Sequence, residues 1–180
     1  MKRLLLLFIS MTLLLLVSQP ALAQETSTST AILNVQYDLP YAGILPDNPL
    51  YFLKALRDNV LGMFITDPAQ KANYDLLMAD KRLGAAQALL AKGKVDLAIT
   101  TLSKSGNYFY LAVQQATVAK QQGQDTASLL STLDRASLKH QQVIFAMEAR
   151  SKQDVSQVLA ASQERIAGFQ KSVEQLMPKQ

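Results

Sequence analysis

The sequence predicts an all-α protein, an antiparallel bundle of about five helices preceded by an extended N-terminal strap. Apolar residues recur every three or four positions in four successive stretches after residue 70, which is the spacing of one helix face. The breaks between these stretches are short, so consecutive helices are expected to pack side by side in opposite directions. Apolar residues make up 49% of the 180-residue chain, enough for the core of one domain.

Residues 1–23 have the pattern of a signal peptide. Lys2 and Arg3 precede an uncharged, largely apolar run over 4–17, and residues 21–23 (ALA) have the small-residue spacing of a cleavage site. The run is shorter than the roughly 20 residues of a membrane-spanning helix. We therefore expect cleavage after Ala23 and a periplasmic or extracellular protein. The alternative is a leader that is kept as a membrane anchor, which would be the chain's only contact with the membrane.

Composition argues against several functional classes. Removal of Lys2 and Arg3 would lower the formal net charge from +4 by two, which is too small a surplus to indicate nucleic-acid binding. The chain has no cysteine, so disulfides, thiolate nucleophiles and cysteine-ligated metals are excluded. The core must therefore hold the fold together without covalent cross-links.

Two segments are expected between the leader and the helices. Residues 24–30 (QETSTST) are polar throughout and are predicted to form a disordered tether. Residues 31–47 are predicted to form an extended, proline-containing strap. A lone strand would find no partner strand elsewhere in this sequence, so a strap is favoured over a sheet. The helical domain then covers residues 48–177.

The first helix is predicted to begin at Asn48. Pro49 pushes the backbone of Asn48 out of the helical region, which is the geometry of an N-cap, and proline itself suits the first helical position. Replacing Asn48 with alanine is then expected to cost about 1 kcal/mol of stability. The residues that follow are apolar on most sides of a helix. We therefore expect this helix to lie centrally, or beneath a lid formed by residues 37–45.

The other four helices have recognisable ends. Asp67-Pro68 repeats the cap-then-proline start, and Gly93 suits the left-handed position that follows a helix. Residues 121–124 (QQGQ) form the next break, and the last pattern stops before Pro178. The apolar stripes run over residues 72–90, 95–119, 129–147 and 155–176.

Residues 37–57, YDLPYAGILPDNPLYFLKALR, resemble the corresponding segment of a family of exported bacterial proteins known as a domain of unknown function. That segment reads close to Y-x-L-P-x-P-G-I-L-P-D-S-P-L-Y-x-L-K. Here Ala42 replaces its second proline and Asn48 replaces its serine, which is also a good N-cap. The resemblance continues more loosely to about Ala119. It implies export and amphipathic helices, and it brings no activity, cofactor or catalytic residue.

No catalytic, cofactor or metal site is predicted. His140 is the only histidine and falls on an apolar stripe, so we interpret it as a core residue with one hydrogen-bond partner rather than as a general base or metal ligand. Asp75 and Asp80 are not expected to share a helix face, and the other carboxylates are scattered. Ser105 has no nucleophile-elbow pattern around it and is predicted to be a packing residue.

Tyrosines supply the one candidate binding surface, because tyrosine is enriched in protein interfaces. A groove under the strap is expected to be lined by Tyr37, Tyr41, Tyr51, Tyr74, Tyr108 and Tyr110. The alternative is that the strap itself covers these rings and fills the groove.

These observations predict an exported, non-enzymatic helical protein that binds a protein or peptide of the cell envelope. Two other functions stay open. One is a metal- or small-ligand-binding bundle with its site at His140 and neighbouring carboxylates. The other is a membrane-anchored regulator that keeps its leader.

Overall fold

The computed structural model describes residues 35–151 and 153–178, without the side chains of residues 153 and 154. It contains five helices, which we number α1 (Tyr51–Met63), α2 (Pro68–Ala91), α3 (Val95–Gln121), α4 (Ala127–Glu148) and α5 (Gln153–Leu176). Over these residues there is no strand, and the all-α helical bundle is confirmed. The predicted leader, the tether and the first four residues of the strap lie outside the described residues.

Among the described residues, no helix has both the length and the apolar character that crossing a bilayer requires.

Two helical hairpins form the bundle, α2 with α3 and α4 with α5. The main contacts between the hairpins join helices that run in the same direction, because the paired residue numbers increase together along both helices. The pairs are Asp67 with Gln124 and Asp80 with His140 between α2 and α4, and Asn107 with Arg165 and Phe109 with Phe169 between α3 and α5.

Glycine ends both α2 and α3 in the same way. Gly93 and Gly123 adopt φ values of +74° and +78°, a backbone conformation that costs glycine nothing. After α2, the N–H of Lys94 donates to the carbonyl of Leu89 and the N–H of Gly93 donates to Leu90. This pair of bonds is a Schellman motif, and the same pair recurs after α3. Each turn is therefore closed by its own backbone hydrogen bonds.

Small residues set the spacing between α2 and α3. The hydroxyl of Ser105 on α3 donates to the backbone carbonyl of Ala79 on α2 at 2.9 Å, so the two helices approach closely. The alanines of this pair that have no exposed surface are Ala72, Ala79, Ala86, Ala98, Ala112, Ala116 and Ala119. Larger buried side chains, among them Leu83, Phe109, Leu133 and Leu159, fill the space between the two hairpins.

The predicted start of the first helix is corrected by the structure. Regular helix begins at Tyr51, with Leu50 as its N-cap in a helical conformation. Asn48 instead lies in the turn that precedes α1, where its side-chain oxygen accepts a hydrogen bond from the N–H of Leu50 at 2.9 Å. Asp67 does cap α2, since its side chain accepts from the N–H of Gln70 and Pro68 takes the first turn.

The prediction that α1 lies centrally is wrong. Only Asp58 and Gly62 of this helix are buried. Gly62 faces the ring of Tyr74 so closely that an added Cβ would lie 2.9 Å from Cε1, and the Tyr74 hydroxyl donates to the carbonyl of Asp58. The narrow polar and small-residue side of α1 therefore faces the bundle, and its large apolar side chains face solvent.

The strap lies along α2 rather than over α1. Tyr37 reaches Asp80, Ala42 lies beside Gly84, and the carboxylate of Asp47 pairs with the lysines of the α2–α3 turn. Strap and helix thus run in the same direction. Lys54 of α1 donates to the carbonyl of Ala42 at 2.5 Å, which ties α1 to the strap.

Helix caps give a stability test of this arrangement. Replacing Asp67 with alanine should lower the free energy of unfolding by about 1–2 kcal/mol, because Asp67 caps α2 and also accepts from the side chain of Gln124. Replacing Asn48 with alanine should cost no more than about 0.5 kcal/mol, because α1 contributes little to the core. Urea unfolding followed by circular dichroism measures both. Equal losses in the two variants would mean that α1 unfolds together with the bundle.

Candidate functional site

The structure does not bring the six tyrosines of the predicted surface into one groove. Tyr37 is part of the strap and points to Asp80. Tyr74 and Tyr108 lie beneath α1, where Tyr74 bonds Asp58 and the Tyr108 hydroxyl lies 3.5 Å from Asn59 Oδ1. The remaining three do not share one surface. Tyr41 and Tyr51 lie near Lys54, whereas Tyr110 packs against Phe169 on α5.

A buried hydrogen-bond network joins the strap to two helices. One oxygen of the Asp80 carboxylate accepts from the Tyr37 hydroxyl at 2.5 Å, and the other lies 2.7 Å from Nε2 of His140. A carboxylate can only accept, so Nε2 carries a proton in this arrangement. Burial, together with the negative charge of Asp80, raises the pKa of Tyr37 far above its ordinary value, so its hydroxyl remains a donor.

The sequence pattern does not predict the role of Asp80. It indicates only that Asp75 and Asp80 lie on different helix faces, yet both are almost fully buried, and Asp75 is paired with Lys71 at 2.9 Å. Burial raises the pKa of Asp75, against the lowering effect of Lys71. The available signal was that each falls among apolar residues of α2, where a charged side chain needs a partner.

The described residues hold no group of three or more histidine or acidic side chains arranged for a metal ion. His140 has Asp80 as its single carboxylate partner there.

Most of the exposed apolar surface of α1 lies on its outward side, which we call the outer face. Its members are Phe52, Leu53, Leu56, Val60, Met63 and Phe64. Phe52 is 64% exposed, Phe64 79% and Met63 81%. Large side chains at spacings of three and four form one continuous stripe on a helix, so these residues make a single apolar surface.

A groove of about 460 Å³ adjoins the outer face, between the strap and α1. We call it the strap groove. Its apolar lining includes Tyr41, Ile44 and Leu53, and its cations are those of Lys54, Arg57 and Lys81. Among the described residues, no carboxylate lines it. Burial lowers the pKa of Lys54, and nearby cations add to this effect against the raising effect of Asp58. Leu53 belongs to both surfaces, so the groove and the outer face are continuous.

The buried network predicts unequal effects for two similar tyrosine variants. Tyr37→Phe should lower the free energy of unfolding by about 1–3 kcal/mol, because it leaves one buried oxygen of Asp80 without its donor. Tyr41→Phe is the matched control and should change stability by no more than about 0.5 kcal/mol, since Tyr41 is 88% exposed. Chemical denaturation compares the two. Coincident unfolding curves would show that the Tyr37 bond does not stabilise the fold.

Comparison with known proteins places this chain in a family without assigning a role to it. No curated protein matches the sequence, and no solved structure matches it. The family model described as a domain of unknown function (DUF5667) matches residues 43–175. That span begins in the strap and takes in α1 to α4 and nearly all of α5, which confirms the resemblance to a domain of unknown function. The chain belongs to the DUF5667 family.

Proposed function

We propose that this chain is an exported, non-enzymatic helical module that binds a protein or peptide segment of the cell envelope through the outer face of α1. Export is supported by the signal-peptide pattern of residues 1–23. The observation that carries the binding role is the inverted placement of α1, with its small residues inward and its large apolar side chains outward.

Leaving the outer face in water is costly. Each large apolar side chain gains roughly 1.5–3 kcal/mol when it moves from water into an apolar environment. Elsewhere on the bundle, exposed apolar residues such as Phe145 and Val158 are spread over different helices. A partner that covers α1 would bury six such side chains at once, and this makes α1 the surface best suited to binding.

Charge indicates what kind of segment fits. The strap groove places the cations of Lys54 and Lys81 beside an apolar surface that no described carboxylate lines, while its third cation, Arg57, is paired with Asp58 at 2.7 Å. An amphipathic helix with acidic residues along one edge would bury its apolar face on α1 and place its carboxylates at Lys54 and Lys81. The partner is therefore an acidic amphipathic segment of a protein, and the proposed role is recognition without chemistry.

Site-specific cross-linking in the native host tests this role. A photoreactive residue at position 52 or 64 should cross-link to one envelope protein, through a segment that is amphipathic and acidic. The same probe at position 145 is the control, because Phe145 is also half exposed but lies on α4. Equal labelling from all three positions, or cross-links to lipid or to a second copy of this chain, would overturn the proposal.

Charge reversal tests the fit of the captured segment. Lys81→Glu should weaken its binding by about tenfold, because one favourable ion pair becomes a repulsion. Lys104→Glu makes the same change in net charge at an exposed position of α3 and should leave binding unchanged. If both variants lost the same amount of affinity for the segment, the effect would come from long-range attraction alone. That outcome would contradict recognition in the strap groove.

A further inference from the structure

A second surface feature lies apart from α1, where α3, α4 and α5 meet. It is a cavity of about 190 Å³, which we call the α3–α5 cavity. Its walls are largely aliphatic, with Ile99, Leu102, Ile144 and Val158 among them. Its polar lining consists of His140, Arg165 and the hydroxyl groups of Ser103, Ser105 and Ser162. An engineered cavity of roughly 150 Å³ is enough for a benzene-sized molecule, so this one suits a small ligand.

A glycine on α3 leaves space for the side chain of Arg165 at this cavity. Gly106 lies within α3, where glycine weakens a helix. A Cβ added there would lie 3.1 Å from Nη1 of Arg165, so the missing side chain makes room for the guanidinium group. Nη2 donates to the side chain of Asn107 at 2.9 Å, and the guanidinium carbon lies 5.4 Å from the centre of the Phe169 ring.

These contacts leave part of the guanidinium available. Through residues 35–151 and 155–178, no carboxylate forms an ion pair with Arg165. The group is thus positioned by neutral neighbours, with N–H donors and a full positive charge that can serve a ligand. A carboxylate fits such a group best, because its two oxygens match the fork of guanidinium donors.

His140 supplies an independent observation at the same cavity. Its ring has no exposed surface, and Nε2 is bonded to Asp80. Nδ1 is buried and has no hydrogen-bond partner among the described residues. Asp80 does not line the cavity, so Nδ1 is the ring nitrogen left to bond a ligand there. Buried polar atoms normally have a partner, and an unpaired one needs an explanation.

We infer that the α3–α5 cavity binds a small carboxylate with a compact apolar body and a hydroxyl group at its far end. The carboxylate pairs with Arg165 at the rim, the apolar body lies between the aliphatic walls, and the hydroxyl group forms a hydrogen bond with Nδ1 of His140. Arg165 and His140 contact α3 near Gly106 and Phe109, which are one helical turn apart, so a small molecule can span both. The inference is independent of the proposed function, because α1 takes no part in it.

4-Hydroxybenzoate is the probe, and 4-hydroxybenzamide is its neutral control of the same shape. His140 is the only histidine of the chain, so its ring gives unambiguous NMR signals. Adding 4-hydroxybenzoate to the full chain should shift these signals in a saturable way and raise the melting temperature. The benzamide should bind about tenfold more weakly, since it lacks the charge that pairs with Arg165. Unshifted ring signals, or equal binding of the benzamide, would overturn the inference.

Two glycine variants make the test specific. Gly106→Ala should weaken 4-hydroxybenzoate binding by about tenfold, because the new methyl group displaces the guanidinium of Arg165. Gly168→Ala is the control, since it makes the same change within α5 where an added Cβ would have no described atom within 4 Å. Both variants should fold. Equal affinity in Gly106→Ala and Gly168→Ala would show that Arg165 does not hold the ligand.

Discussion

The fold depends on a single buried carboxylate. Asp80 has 2% of its surface exposed. Its carboxylate is hydrogen-bonded to Tyr37 of the strap and to His140 of the second hairpin. A buried charge is unfavourable unless its oxygens are hydrogen-bonded, so the strap, α2 and α4 must be in place together. This requirement fixes the lengthwise position of α4 on α2, which apolar packing alone would define only loosely. It also explains how a segment without regular secondary structure keeps a defined path across the bundle.

The same constraint leaves α1 to one side. The strap occupies the surface of α2 that a central first helix would need, and α1 meets the bundle mainly through Tyr74 and the strap carbonyls that bind Lys54. A helix with apolar residues on most sides can pack against its neighbours through any of those sides. Here α1 packs against the bundle through the side that carries Asp58 and Gly62. The outer face is therefore a product of the strap's route and not of helix composition alone.

Periodicity was sufficient to predict the helices, because four long stripes and their glycine turns are local signals. It could not place α1, since hydrophobic spacing shows how apolar a helix is and not which elements surround it. His140 was correctly interpreted as a core residue with one partner, but Asp80 could not be identified as that partner, because the two are 60 positions apart in sequence. The tyrosines show the same limit. Their number suggested one surface, whereas their directions depend on tertiary contacts that separate them.

The alanine-lined contact between α2 and α3 restricts how related sequences can diverge. Where a side-chain hydroxyl on one helix bonds a backbone carbonyl on the next, as Ser105 does with Ala79, no room remains for an extra methylene group. Changes of volume along this pair would push α2 and α3 apart and break the hydrogen bond between Ser105 and Ala79. Between the hairpins, larger aliphatic side chains can exchange volume with one another. Descendants of this sequence should therefore drift in size at the hairpin interface and remain small along the α2–α3 line.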